Sequence, residues 1–211
     1  MPQVINEEQR SPEWFAARLG KPTASRFGDI TARTRSGYSA SRKNYMAELT
    51  AQILTGQIPE MFTTAAMQHG IDNEPVAALN YSLITGNDVE ETSLWLHDTI
   101  RAGASPDGLV GTDGLLEIKC PNTATHIETL AKQQVPKQYM DQVMGQIWIT
   151  GRKWCDFISY DPRLPENAQI FIQRVERDED YITSLEEEIT NFLAELDRQV
   201  EFIRNYGKKG A

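Results

Sequence analysis

The sequence predicts an α/β fold: a mixed central β-sheet flanked by helices on both faces. Three observations predict it. The apolar pattern runs helices, strands, helices, strands, helix, which suits one sheet layered between helices. No linker divides the 211 residues, a length that can bury one sizeable core. A long amphipathic stripe, Ile182, Leu185, Ile189, Leu193, Leu196, Val200 and Ile203, closes the chain with the period of a packed helix.

Ser11-Pro12-Glu13 reads as a helix start, with a cap residue, proline at the first helical position and an acid in the first turn. This helix passes Trp14, Phe15 and Arg18 and stops near Gly20, and a second short one begins at Thr23 or Ser25. Residues 40–55 carry Met46, Leu49, Ile53 and Leu54 at helical spacing, with Gly56 as the stop. Residues 64–85 read as a helix kinked at Glu74, because Pro75 pushes the preceding residue out of the helical region. Strands are expected at about 88–96, 100–104, 107–111 and 115–120, and helices at about 122–133 and 136–149. A strand pair at 153–160 and 168–175 precedes the final helix at about 178–204. A single domain over 1–211 follows, with a helical part at about 10–85 and a core at about 86–175.

No run approaches the roughly 18 apolar residues a membrane span needs. The first residues have neither a basic start nor an apolar stretch, so no secretory signal and an intracellular protein are expected. Cys120 and Cys155 are too few for a disulfide framework or a four-cysteine cluster, and buried free thiols are expected. His69, His97 and His126 lack metal-ligand spacing and read as surface or packing residues. The net charge of −9 is unevenly distributed: residues 10–43 carry a local +6 and residues 178–204 a local −7. The basic segment offers phosphates a surface, and the acidic helix, distant in sequence, would repel DNA from the wrong face.

Ser105-Pro106-Asp107-Gly108 and Leu116-Glu117-Ile118-Lys119-Cys120-Pro121 carry the chemistry. On a strand, Glu117 and Lys119 share one face while Leu116, Ile118 and Cys120 take the other. A turn at Thr112-Asp113-Gly114 folds the strand of Asp107 back beside them. Two carboxylates suit a hard divalent cation such as magnesium, and a lysine beside them can hold or deprotonate a nucleophilic water. The same triad also describes a turn followed by a half-exposed strand showing a charge pair to water. In the helix at 136–149, Tyr139, Gln142 and Gln146 share a polar face opposite Met140, Val143, Met144, Ile147 and Trp148. That face reads as donors for phosphate oxygens or as an uncharged surface stripe. Glu74 reads as a third acidic group or as a cap where the kinked helix restarts.

Trp14 through Ser25, Gly70-x-x-x-Glu74-Pro75, Ser105-Pro106-Asp107-Gly108, Leu116 through Pro121 and Tyr139-Met-x-Gln142 occur in this order. Together they resemble the lambda-exonuclease or YqaJ-type viral recombinases, a branch of the PD-(D/E)-x-K nucleases with a restriction-endonuclease-like core. The resemblance spans about residues 10–204. It implies a magnesium-dependent 5′-to-3′ exonuclease on linear double-stranded DNA, with manganese as a substitute ion. Products would be 5′-mononucleotides and a 3′ single strand for a single-strand annealing partner. It implies a ring-shaped homotrimer and a phage- or prophage-type protein in a bacterial cytoplasm. Asp107, Glu117 and the Ile118 backbone carbonyl match metal ligands, Glu74 the outer acidic residue and Lys119 the catalytic lysine. Gln142 and Tyr139 match polar positions beside the site, Arg18 and Ser25 the 5′-phosphate positions, and Arg35 a further basic position. Competing readings are a sequence-specific restriction-type endonuclease and a DNA-binding module without catalysis. An iron–sulfur nuclease of the Cas4 type is disfavoured by the cysteine count.

Overall fold

The computed structural model describes residues 2–59 and 63–208. Its first half comprises β1 (Gln3–Ile5), α1 (Pro12–Arg18), α2 (Phe27–Thr31), β2 (Arg33–Thr34), β3 (Gly37–Tyr38), α3 (Ala40–Thr55) and α4 (Ala65–Thr85). Strands β4 (Val89–Glu90), β5 (Leu94–Leu96), β6 (Gly103–Ala104), β7 (Gly108–Val110) and β8 (Gly114–Lys119) follow. Then come α5 (Thr123–Lys132), α6 (Met140–Thr150), β9 (Trp154–Tyr160), β10 (Ile170–Glu176) and α7 (Glu179–Asn205).

The central sheet has the order β10-β9-β8-β7-β4. Its β8–β9 pair is parallel and its other pairs are antiparallel, so it is mixed, as the sequence predicts. A parallel pair needs a crossover, here α5 and α6, which cover one face. On that face Leu115, Cys155 and Phe157 meet Val143, Ile147 and Phe192. On the other, Leu116, Ile118 and Ile158 meet Ala77 and Tyr81 of α4. Each Leu, Ile, Val or Phe among them, fully buried, contributes about 1.5–3 kcal/mol over its exposed state.

Local signals explain the helix ends. The Ser11 hydroxyl accepts from the Trp14 amide at 3.1 Å, and Gly56, Gly86 and Gly151 close α3, α4 and α6 in the left-handed conformation. The α7 stripe is buried from Ile182 to Val200, but Ile203 is 44% exposed, so the packed face ends a turn early.

Several expectations are corrected. Pro75 lies inside α4 and the helix continues through it, so Glu74 is a helical residue and not a cap at a restart. Packing of Ala77 and Tyr81 against the sheet overrides the local preference. The strand expected at 88–96 splits in two. β4 joins the central sheet, whereas β5 pairs with β1 and β6 in a separate one. Between them, Ser93 Oγ donates to the Glu7 carbonyl and Thr92 Oγ1 accepts from Trp95 Nε1 at 2.8 Å, hydrogen bonds that interrupt a ladder. The strand expected at 100–104 shortens to β6, and the helix expected from 136 opens with a 3₁₀ turn over Lys137–Tyr139.

The charge expectation is also revised. α7 does not stand apart from the basic segment: Glu188 receives Arg33 and, at 2.7 Å, Tyr38, while Glu195 receives Arg42 at 3.1 Å. Arg26 is engaged by Asp29 at 2.5 Å and Glu48 at 3.2 Å. Much of the local +6 read from the sequence is therefore neutralised within the fold.

Candidate active site

Strand alternation sets the site. Glu117 and Lys119 project from the same face of β8, and Lys119 Nζ lies 2.6 Å from Glu117 Oε1. Glu117 is buried, while its neighbours Leu116 and Ile118 fill the opposite core. The β7–β8 hairpin pairs Gly108 with Leu116, which delivers Asp107 beside Ile118. Asp107 is fastened twice, its amide donating to the Leu116 carbonyl at 3.1 Å and its Oδ2 accepting from the Ile118 amide at 2.6 Å. Burial and the neighbouring Glu117 carboxylate hold the Asp107 carboxyl well above the usual range. For Lys119, burial lowers the value, but Glu117 and Asp107 outweigh it and the net direction is upward.

The polar face of α6 is not a surface stripe. Gln142 Nε2 donates to Glu117 Oε1 at 2.6 Å and Gln146 Nε2 to Glu117 Oε2 at 2.5 Å. The two amides clamp both carboxylate oxygens. Gln146 is buried and its Oε1 has no partner among the described residues. Reversing the amide would set two oxygens against each other, so donation to Glu117 fixes this orientation. The clamp requires α6 to sit deep: a Cβ on Gly145 would lie 2.5 Å from the Phe27 ring. Tyr139 stacks on Phe157 at 5.5 Å, with its ring 5.3 Å from Lys119 Nζ, so it belongs to the lysine's surroundings.

A second cluster adjoins the first through the chain. Arg18 donates to Thr23 Oγ1 at 3.1 Å and Ser105 Oγ at 3.4 Å, and the Thr23 and Ser25 hydroxyls lie 3.4 Å apart. The guanidinium carbon sits 3.9 Å from the Trp14 ring centroid, and the buried Trp14 Nε1 has no partner among the described residues. Burial lowers Arg18 to about 10. Ser25 of this cluster and Gln142 of the Glu117 clamp line one cleft of about 420 Å³. Arg35 is not brought here: it lies in the exposed turn between β2 and β3, which α7 holds through Glu188.

Glu74 shares a cleft of about 980 Å³ with Asp107 and Ile118 and pairs with Arg10 at 3.3 Å. Cys120 is half-buried, not buried as expected, whereas Cys155 is buried. Burial and the carboxylates of Glu74, Asp107 and Asp161 push the Cys120 thiol up to about 12, so it is no nucleophile at neutral pH. His126 is a packing residue, its ring nitrogens 2.7 Å from Ser159 Oγ and 2.9 Å from the Ala168 carbonyl.

The donor set fits a hard divalent cation. Among the described residues no three His, Cys, Asp or Glu side chains gather as a ligand cluster. Two carboxylates, a backbone carbonyl and water form the sparse oxygen set that magnesium accepts. The upward-held Asp107 is a carboxyl short of positive charge. Asp107, Glu117 and the Ile118 carbonyl would hold the ion, with Glu74 outside them.

Residues 13–153 match the YqaJ-like viral recombinase domain. The chain belongs to this family. The chain is 50% identical to LHK-Exo, an alkaline exonuclease from Laribacter hongkongensis, over 95% of this chain and 100% of that one, with a TM-score of 0.88. A complex of LHK-Exo with dAMP superimposes with the same TM-score, 0.88. A phage related exonuclease from Haemophilus somnus 129PT shares the fold at 15% identity and a TM-score of 0.69, over 87% of this chain and 96% of that one. ExoD of Escherichia coli K12 is 29% identical over 65 residues, 31% of this chain and 74% of that protein.

Sequence reasoning did not assign Thr23, Ser105 or Trp14 to the Arg18 cluster, although all three lie in the motifs that carry the family resemblance. Gln146 was visible only as part of a polar stripe; its full burial on a face shared with Gln142 is a tertiary property. Arg10 carries no sequence signal beyond its charge.

Proposed function

We propose that this chain is a magnesium-dependent 5′-to-3′ exonuclease acting on linear duplex DNA, with manganese able to substitute. In this reading it releases 5′-mononucleotides and leaves a 3′ single strand for an annealing protein in a bacterial cytoplasm. One observation carries it: Arg18, whose hydrogen bonds go to the hydroxyls of Thr23 and Ser105, is thereby tied to a residue two positions from the carboxylate Asp107. This supports a reading in which an anion site and a hydrolytic site lie a fixed step apart. The identity with LHK-Exo supports the exonuclease class, and the ring-shaped homotrimer rests on family resemblance alone.

Arg18 and the hydroxyls of Thr23, Ser25 and Ser105 grip the terminal 5′ phosphate. A duplex end seated there sets which linkage reaches Asp107. The Gln142 and Gln146 amides keep the Glu117 carboxylate in one orientation. Lys119 presents its donors to the attacking water and to charge developing on the phosphate. When bound, a divalent ion supplies Lewis-acid stabilisation of that charge and makes water easier to deprotonate.

The test is magnesium-dependent digestion of a linear duplex with a 5′ phosphate, the same duplex with a 5′ hydroxyl, and a closed circle. The phosphorylated end is expected to be degraded fastest and the circle not at all; equal rates on all three would remove end recognition, and cutting of the circle at fixed positions would favour a restriction-type enzyme. Lys119→Ala is expected to lower the cleavage rate at least about 10²–10³-fold with DNA binding retained. A variant that still cleaves normally contradicts the role given to Lys119.

A further inference from the structure

The large cleft beside Asp107 presents an electrostatic problem. Glu7, Glu8, Glu74, Glu91 and Asp107 line it, and Arg10 is the one cation among the described lining residues. A polyanion drawn into such a cleft meets repulsion from most of its wall.

Arg10 is also in an unusual backbone state. Its φ is 71°, one of two positive values among non-glycine residues described, the other being Gln133 at the end of α5. Gln133 closes a helix, where a left-handed residue is common. Arg10 has no such role: it is the third residue of the Glu8–Ser11 turn, closed by the Ser11 amide on the Glu8 carbonyl at 3.0 Å. A positive φ at that position favours glycine or asparagine. The visible return is one ion pair to Glu74 at 3.3 Å, with side chains 50% and 32% exposed. Exposed pairs of this kind contribute less than a left-handed arginine costs.

The turn is nonetheless rigidly placed. Gln9 Nε2 donates to the carbonyls of Thr92 at 3.2 Å and Pro106 at 3.1 Å, fastening the segment to the residue before Asp107. A strained cation is therefore held at the mouth of an otherwise acidic cleft, on a partner weak enough to leave.

We propose that Arg10 is a DNA-phosphate-binding residue of this cleft, exchanging Glu74 for a backbone phosphate when the strand enters. This rests on the exonuclease reading. Arg18 fixes the end of the strand, and Arg10 holds a phosphate on the Glu74 side of Asp107.

The test is equilibrium binding of a labelled, 5′-phosphorylated linear duplex across a range of KCl, with calcium in place of magnesium to keep the DNA uncut. Wild type is compared with Arg10→Gly, which suits the turn and removes the charge, and with Arg10→Lys, which keeps the charge. Arg10→Gly is expected to weaken binding about tenfold near physiological salt and to flatten the salt dependence by about one phosphate contact. Arg10→Lys should restore the slope, and the melting temperature of Arg10→Gly should equal or exceed that of wild type. If Arg10→Gly does not fold, Arg10→Asn takes its place. An unchanged salt slope overturns the proposal, as does a fall in melting temperature with no change in slope. Failure of wild type itself to bind the duplex overturns the exonuclease reading, and this proposal with it.

Discussion

Arg18 and Arg42 belong to the same basic stretch, and each rests its guanidinium 3.9 Å from an aromatic centroid, Trp14 in one case and Tyr38 in the other. Their remaining partners differ. Arg42, 3% exposed, donates to the Ile30 carbonyl at 3.0 Å and to Glu195 at 3.1 Å, which ties α2 and α3 to α7. Arg18 meets hydroxyls, those of Thr23 and Ser105. A cation matched to carboxylates inside the chain is committed to the fold. One surrounded by neutral acceptors keeps its charge for an anion from outside. The difference distinguishes binding from structural arginines where local charge counting does not.

The comparison breaks most visibly under paired substitution. Arg42→Ala is expected to lower stability by about 2–3 kcal/mol, because it removes buried packing, the bond to the Ile30 carbonyl and the cation paired with Glu195. Arg18→Ala is expected to change the melting temperature little while erasing the preference for 5′-phosphorylated ends. Thermal unfolding and relative digestion rates check both, and an equal loss of stability in the two variants would contradict the distinction.

A smaller effect sharpens the same contrast at Glu117, a buried carboxylate held by Lys119 and by two neutral amides from within the chain. Gln146→Leu removes one of its two amides and should reduce the rate about 10–100-fold while raising the magnesium concentration for half-maximal activity. A magnesium titration of the initial rate decides it. An unchanged curve would mean that Gln142 and Lys119 alone orient the carboxylate.

The smallest effect lies at Asp161, a buried acid that, unlike Glu117, is paired with an arginine. Burial alone would raise its carboxyl, but hydrogen bonds from Arg163 and Thr123 pull it down to about 2. Since the folded value lies below the unfolded one, the stabilisation is present above pH about 4 and lost as pH falls through about 2. The contribution is about 1–2 kcal/mol. Acid titration of stability should show this loss in wild type and its absence in Asp161→Asn.

Elements with local causes were legible in the sequence. α1 and α7 announce themselves by caps and stripes, and the shared face of Glu117 and Lys119 follows from strand alternation alone. The approach of Asp107 to Ile118 followed from one turn signal, because a hairpin fixes its own register. What escaped was set by distant packing. Nothing near Pro75 says that Ala77 and Tyr81 will hold the helix through it. Nothing near Arg33 or Arg42 says that Glu188 and Glu195, far along the chain, will neutralise them. The Gln146 amide was legible only as a phosphate donor or part of a surface stripe, because its acceptor, Glu117, lies on another element.

The parallel pairing of β8 with β9 has a consequence for biosynthesis. Lys119 and Ser159 are register partners, and the whole crossover, including both clamping glutamines, lies between them. A nascent chain that has emerged only as far as Lys119 already holds its acids and its lysine, but neither glutamine nor the inner neighbour of their strand. Non-local pairings of this kind form late. The full carboxylate, lysine and amide constellation is therefore completed only when β9 has been made and can pair with β8.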